Sequence, residues 1–275
     1  MKTFICYSFV ALLALVPRSW VSATQDTPTQ NETRNDFVLV PMPASAGHRH
    51  RANPHIRNAN GTSENWAGYA VATRLTAPSS GVVSDVKGMW TVPDVARSGS
   101  ANTYSAIWVG IDGYSDSTVE QTGTEQDLTP NGPVYYAWFE MYPKFGYRIL
   151  NFPVEPGDTM AAEVRYVGNN RFTLTIANLT RHVSYSTTQR HKAKRQSAEW
   201  IVEAPYSGGT LPLADFGKVS LTACTATLNG YTGTIGDASW QHDPIVMSDP
   251  NDGVKAQPSV LSADGTNFAV TWLHE

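Results

Sequence analysis

Val134-Tyr-Tyr-Ala-Trp-Phe-Glu-Met-Tyr142 reads as a β-strand with two unlike faces. Successive side chains of a strand point to opposite sides, so Tyr136, Trp138, Glu140 and Tyr142 share one face and Tyr135, Ala137, Phe139 and Met141 the other. The second set is an ordinary apolar core face. The first set is not: a core face does not normally hold a glutamate, and a plain solvent face does not hold so many rings. That combination points to a ligand cleft. The segments at 66–73, 82–92, 104–111, 159–167, 172–178, 198–203, 218–228, 258–261 and 268–273 have a similar composition. They are short runs rich in Val, Ile, Thr and aromatics, broken by Gly, Pro, Asn and Asp, with little helical spacing. Regularly spaced strands with no internal linker predict one all-β domain, an antiparallel sandwich or barrel.

The 275 residues include 20 Lys and Arg against 24 Asp and Glu, with 16% charged residues, 8 Trp, 12 Tyr and 9 Phe. That composition excludes a disordered chain and a polybasic nucleic-acid binder. Met1-Lys2, the apolar run 4–16 and Val21-Ser22-Ala23 read as a secretory signal peptide over 1–23. No later stretch reaches the roughly 18 apolar residues of a membrane span, so a secreted, extracellular protein without a membrane partner is expected. Residues 24–62 lack periodicity and hold Arg34, His48, Arg49, His50, Arg51, His55 and Arg57. From Gly61 onward there are 14 Lys and Arg against 21 Asp and Glu. A basic leader before an acidic domain at 63–275 fits a propeptide that docks by charge and is released when carboxylates protonate. A solvated tail fits the composition equally well.

Cys6 leaves with the signal, and Cys224 sits alone in an alternating run that reads as a buried strand. Asn31, Asn60 and Asn178 carry the glycan-acceptor pattern. Arg190-His-Lys-Ala-Lys-Arg195 reads as an exposed basic loop, open to proteolytic nicking.

Strand parity extends to other acids. In Ala198-Glu-Trp-Ile-Val-Glu203, Glu199, Ile201 and Glu203 share a face, and the two acids, roughly 13 Å apart, must play separate roles. Trp108 and Asp112 also share a face, while Gln121 lies beyond a turn at 113–116. The sequence holds no Gly-x-Ser-x-Gly, His-Glu-x-x-His, Cys-x-x-Cys, Asp-Thr-Gly or Asp-Ser-Gly. The remaining enzymatic option is carboxylate chemistry without metal or cofactor.

Ser63-Glu-Asn-Trp-Ala-Gly68, Trp90-Thr-Val-Pro93, Trp108-Val-Gly-Ile-Asp-Gly113, Gln121-Thr-Gly123, Ala137-Trp-Phe-Glu-Met-Tyr-Pro143 and Ala198-Glu-Trp-Ile-Val-Glu203 occur in an order that resembles the glutamic peptidases, or eqolisins. The resemblance implies a sandwich of two bent antiparallel sheets of lectin-like, jelly-roll type, with polypeptide substrate crossing the concave face. It also implies a secreted, acid-active, monomeric endopeptidase inhibited by its own propeptide. The family's catalytic residues map onto Gln121 and Glu203, and its cleft residues onto Trp66, Trp108, Asp112, Glu140 and Tyr142. The family pattern has an aspartate where this chain has Tyr136.

In such a site Glu203 would serve as general base and then acid, and the Gln121 amide would hold the water and donate to the oxyanion. A glutamate with an ordinary pKa of about 4.3 is ionised from mildly acid pH upward, so falling pH should release the leader before silencing the base. Two rivals remain at this point. One is a secreted carbohydrate-binding or glycoside-hydrolysing sandwich using Glu140 and Glu203; the other is a non-catalytic exported scaffold.

Overall fold

The computed structural model describes residues 36–42, 61–97, 99–100, 102–144 and 146–275. The expected signal peptide and most of the expected leader, with Asn31 and Asn60, lie outside these residues. The chain divides into two units, Met1–Asn35, which contains no described residue, and Asp36–Glu275.

Among the described residues every regular element is a strand, numbered here in chain order. The first sheet runs, edge to edge, β1 (Val38–Pro41), β8 (Tyr147–Leu150), β7 (Gly132–Tyr142), β6 (Val119–Thr129), β5 (Thr103–Ile111), β12 (Ser197–Glu203), β3 (Trp66–Ala72) and β15 (Gln241–Asp249). The second runs β11 (Val183–Arg190), β10 (Arg171–Asn178), β9 (Thr159–Tyr166), β4 (Val83–Thr91), β13 (Lys218–Leu228), β17 (Phe268–Trp272) and β16 (Gly253–Pro258). Strand β16 then pairs with the far end of β15, which therefore passes from one sheet into the other. Strand β14 (Tyr231–Thr234) forms a hairpin with β13, and β2 (Thr62–Ser63) lies parallel to β15; all other pairings are antiparallel.

The sheets pack through the inward faces that alternation assigns. Ile107, Val109, Phe139, Met141, Trp200 and Val202 meet Val86, Trp90, Met160, Val164 and Leu221 in one apolar core. Two indoles also bond from one sheet to the other: Trp200 Nε1 donates to the Lys87 carbonyl at 2.6 Å and Trp90 Nε1 to Thr124 Oγ1 at 3.0 Å. A buried indole N–H needs such an acceptor, so these bonds fix how the sheets sit on one another. The outer face of the first sheet carries a second cluster that includes Trp66, Trp108, Tyr136, Trp138 and Ile201.

Several expectations change. Strand β1 lies inside the expected leader, where it pairs with the edge strand β8 of the first sheet. Strands β1, β2, β6, β8, β11, β14 and β15 fall outside the segments the sequence predicts. The segment expected at 258–261 is instead the last residue of β16 followed by irregular chain. Cys224 is buried in β13, where burial pushes its thiol far above the ordinary range. Asn178 is wholly buried and donates to Pro153 O and Asp158 Oδ2, so its amide has no room for a glycan in the folded chain.

Candidate active site

Four neighbouring strands place their outward side chains in three rows. Register sets Glu203 opposite Ala106, Ala106 opposite Glu125, and Glu125 opposite Tyr136. The next row is Ile201, Trp108, Gly123 and Trp138; the third is Glu199, Gly110, Gln121 and Glu140. Glu140 thus shares its face with Trp138 and Tyr136, as alternation predicts, and Gln121 stands beside Glu140 on β6.

The Glu203 carboxylate is buried and accepts at both oxygens. Asn65 Nδ2 donates to Oε1 at 2.9 Å, and Trp108 Nε1 donates to Oε2 at 2.7 Å. The start of β3 sets the Asn65 amide. Ser63 Oγ accepts from the backbone N–H groups of Asn65 and Trp66 and donates to Asn65 Oδ1 at 3.2 Å, turning Nδ2 toward Glu203. Trp108 is braced edge-on by Trp66, with ring centres 5.0 Å apart. It lies over Gly123, where an added Cβ would come within 2.6 Å of Trp108 Cβ.

Gln121 is held separately: its Nε2 donates to Glu140 Oε2 at 3.1 Å, and both residues are buried. Register puts Gln121 and Glu203 two strands apart with β5 between them, and Trp108 stands between them on that strand. Tyr142 is half-buried at the end of β7 and packs against this cluster.

Asp112, which the resemblance places on the cleft wall, also braces the backbone. It sits in the left-handed region at φ 71°, and its carboxylate accepts the backbone N–H groups of Arg195 and Gln196 at 2.6 Å each. Both oxygens tie down the segment following β11. The basic run 190–195 is likewise no loose loop. Lys194 and Arg195 carbonyls accept from Gly81, Val82 and Val83, and the Arg195 guanidinium stacks on Tyr166 at 3.8 Å.

Two residues that sequence reasoning did not single out belong to the site. Asn65 was inside a quoted motif, but nothing in its local pattern marks it as a carboxylate partner. Glu125 was accessible by parity, two and four residues from Gly123 and Gln121. It is wholly buried, and desolvation, then the charges of Asp127 and Glu203, push its carboxyl well above the usual range. Tyr136 faces Glu125 across the strands and stacks under Arg148, 4.2 Å from its ring.

The outer face of the first sheet thus gathers an amide and several carboxylates over a tryptophan floor, the side chains of a candidate acid–base site. Comparison with known proteins makes the assignment specific. Residues 64–269 match the Peptidase A4 family, and the chain belongs to that family of glutamic endopeptidases. It is 29% identical over 268 residues to aspergillopepsin-2 of Aspergillus niger, covering 83% of this chain and 89% of that protein. Among solved structures, Scytalido-glutamic peptidase aligns with a TM-score of 0.62 at 24% identity, covering 77% of this chain and 99% of the other. The aspergilloglutamic peptidase of Aspergillus niger aligns at 0.53 with 31% identity, covering 62% and 99%. Peptide hydrolysis therefore replaces the carbohydrate and scaffold readings.

Proposed function

We propose that the protein is a secreted, monomeric, acid-active endopeptidase in which Glu203 and Gln121 activate water directly on the peptide bond. The supporting observation is the opposed preparation of the two groups. Glu203 is oriented by two N–H donors, while Gln121 is oriented through its amide by Glu140. Glu203 takes a proton from water as the water oxygen attacks the scissile carbonyl carbon. An N–H of Gln121 donates to the oxygen that becomes negative, in a dry site where such a donor counts most. The proton on Glu203 then passes to the amide nitrogen, and the C–N bond breaks. The Scytalido-glutamic peptidase structure holds a peptide-based transition-state analogue, consistent with a polypeptide substrate here.

The leader acts as the inhibitor in this reading. Its residues 36–42 are docked on the first sheet, and Met42 is buried in the cluster that holds Trp66, Trp108 and Trp138. Acidification weakens the attraction of its basic part for the domain's carboxylates, and the site opens.

The test is cleavage of a denatured protein between about pH 2 and 7 by acid-treated wild type, Glu203→Gln and Gln121→Ala. A chelator, a serine-protease inhibitor and an aspartic-protease inhibitor are run in parallel. Wild type should cleave in acid despite all three inhibitors. Glu203→Gln should be inert, and Gln121→Ala should fall by about a hundredfold or more. Cleavage by folded Glu203→Gln, or best activity at neutral pH without acid treatment, would refute the mechanism.

A further inference from the structure

The outer edge of β8 is occupied by the chain's own leader in a way that separates backbone pairing from side-chain anchoring. Val38, Leu39, Val40 and Pro41 pair with Leu150, Ile149, Arg148 and Tyr147, yet all four side chains face solvent, Val38 at 50% exposure. Anchoring comes from the flanks. Phe37 sits between Phe152 and Tyr185, with ring centres 5.7 and 5.5 Å away. Asn151 Nδ2 donates to Asp36 O at 3.1 Å. At the other end Met42 N donates to Gly146 O at 2.9 Å, and its methyl covers Gly146, which also abuts Glu140. The track therefore ends at the glutamate that holds Gln121. A sheet edge that binds through main-chain bonds, with apolar seats at its ends, is the geometry of strand addition.

We propose that this edge is a substrate track: once the leader has left, an extended stretch of polypeptide substrate pairs with β8 in the register now held by Val38–Pro41. The ligand class is an extended peptide with a large apolar residue in the Phe152–Tyr185 seat, five positions from the residue that covers Gly146. Intervening residues are read only as backbone. This inference rests on the peptidase reading and on departure of the leader.

The binding test uses the full chain carrying Phe37→Ser and Met42→Ser, which loosen the resident strand. The probe is a dye-labelled peptide, Asp36-Phe-Val-Leu-Val-Pro-Met42, followed by fluorescence anisotropy. The peptide should bind the double variant at least about tenfold more tightly than wild type, whose seat is filled. Leu150 pairs with β1 but has no partner on β7, so Leu150→Pro removes an edge N–H at little cost to the sheet. Asn151→Gly keeps the left-handed conformation at φ 66° and loses only the bond to Asp36. Each should weaken the peptide in the double-variant background. No binding, or binding indifferent to both changes, overturns the track.

The kinetic arm uses acid-treated wild type and Leu150→Pro. KM for a substrate of about ten residues should rise about tenfold, while that for one of about four residues stays put. An equal effect on both substrates overturns the substrate role. No turnover of either by wild type, with peptide binding intact, refutes the peptidase reading and with it the substrate role. The binding arm distinguishes that result from failure of the track itself.

Discussion

Trp108 shows how one side chain can organise a candidate site. Its indole N–H holds Glu203, its edge meets Trp66, and its position on β5 separates Glu203 from Gln121. Trp108→Phe keeps most of the packing and removes the donor, leaving one carboxylate oxygen of Glu203 without its 2.7 Å partner. A buried acceptor that loses its donor costs about 1–3 kcal/mol. We expect kcat to fall about tenfold or more, with the far-ultraviolet spectrum unchanged and Tm lowered by a few degrees. An unchanged kcat would show that the indole is only packing. Trp108 was legible in the sequence because it opens the motif Trp108-Val-Gly-Ile-Asp-Gly113 and shares a face with Asp112. Asn65 was not, because its bond to Glu203 spans 138 positions of sequence and depends on how β3 lies beside β12.

The least legible element was β6, the strand that carries Gln121. Val119-Glu-Gln-Thr-Gly-Thr-Glu-Gln-Asp-Leu-Thr129 has too few apolar residues to read as a buried strand, yet it is buried almost throughout. One of its faces is the site, with Gln121 and Glu125. The other carries Glu120, Thr122, Thr124 and Gln126, whose polar groups include Thr122 Oγ1, bonded to Trp138 O at 2.7 Å, and Thr124 Oγ1, bonded to Trp90. Hydrophobic pattern fails where a strand is buried through polar contacts on both sides. Strand β11 escaped for another reason: after Val183 it alternates half-buried and exposed residues that are mostly polar, as an edge strand can. Gly123 is the tight point of β6. An added Cβ would strike the Ile107 carbonyl as well as Trp108, and backbone cannot step aside as a side-chain tip can. Gly123→Ala should cost about 3 kcal/mol, measured by urea unfolding, and should displace Trp108, seen as a shift in tryptophan emission. A variant as stable as wild type would mean that β5 and β6 can separate freely here. The basic run after β11 makes an opposite prediction. Because its backbone is bonded to Gly81, Val82, Val83 and Asp112, trypsin should not cut 190–195 in the native protein. Mass spectrometry of fragments should show that site cut only at the rate of global unfolding. Rapid cutting under native conditions would mean the strap opens on its own.

Across the whole molecule the buried carboxyls set the pH at which the fold is safe. Desolvation is the leading cause of a raised pKa at Asp112, Glu120, Glu125 and Glu199, and it also raises Asp116 and brings Asp85 to about 7. For an acid whose pKa is higher folded than unfolded, the native state binds the extra proton. Its stabilising effect is complete below the unfolded value of about 4 and is lost as pH rises toward the folded value. Each unit of separation costs about 1.4 kcal/mol per group once pH has passed the folded pKa. His191, beside Glu120 at 2.6 Å, works in the opposite sense, because burial lowers its pKa and its contribution is lost below about 6.5. One histidine does not offset several acids. Unfolding free energy should therefore be greatest near pH 4 and decline steadily toward pH 7, the reverse of a protein held by surface ion pairs. Glu125→Gln isolates one contribution: a neutral amide in the same space removes the proton that must be lost, so the variant should match wild type near pH 4 and exceed it near pH 7. Urea titrations at unit steps of pH measure both. Stability that rises from pH 4 to 7, or a Glu125→Gln difference that shrinks over that range, would mean these carboxyls are already ionised in the folded chain. The expected decline toward pH 7 would instead confine the peptidase to acid surroundings by unfolding it elsewhere, a limit separate from the charge state of Glu203.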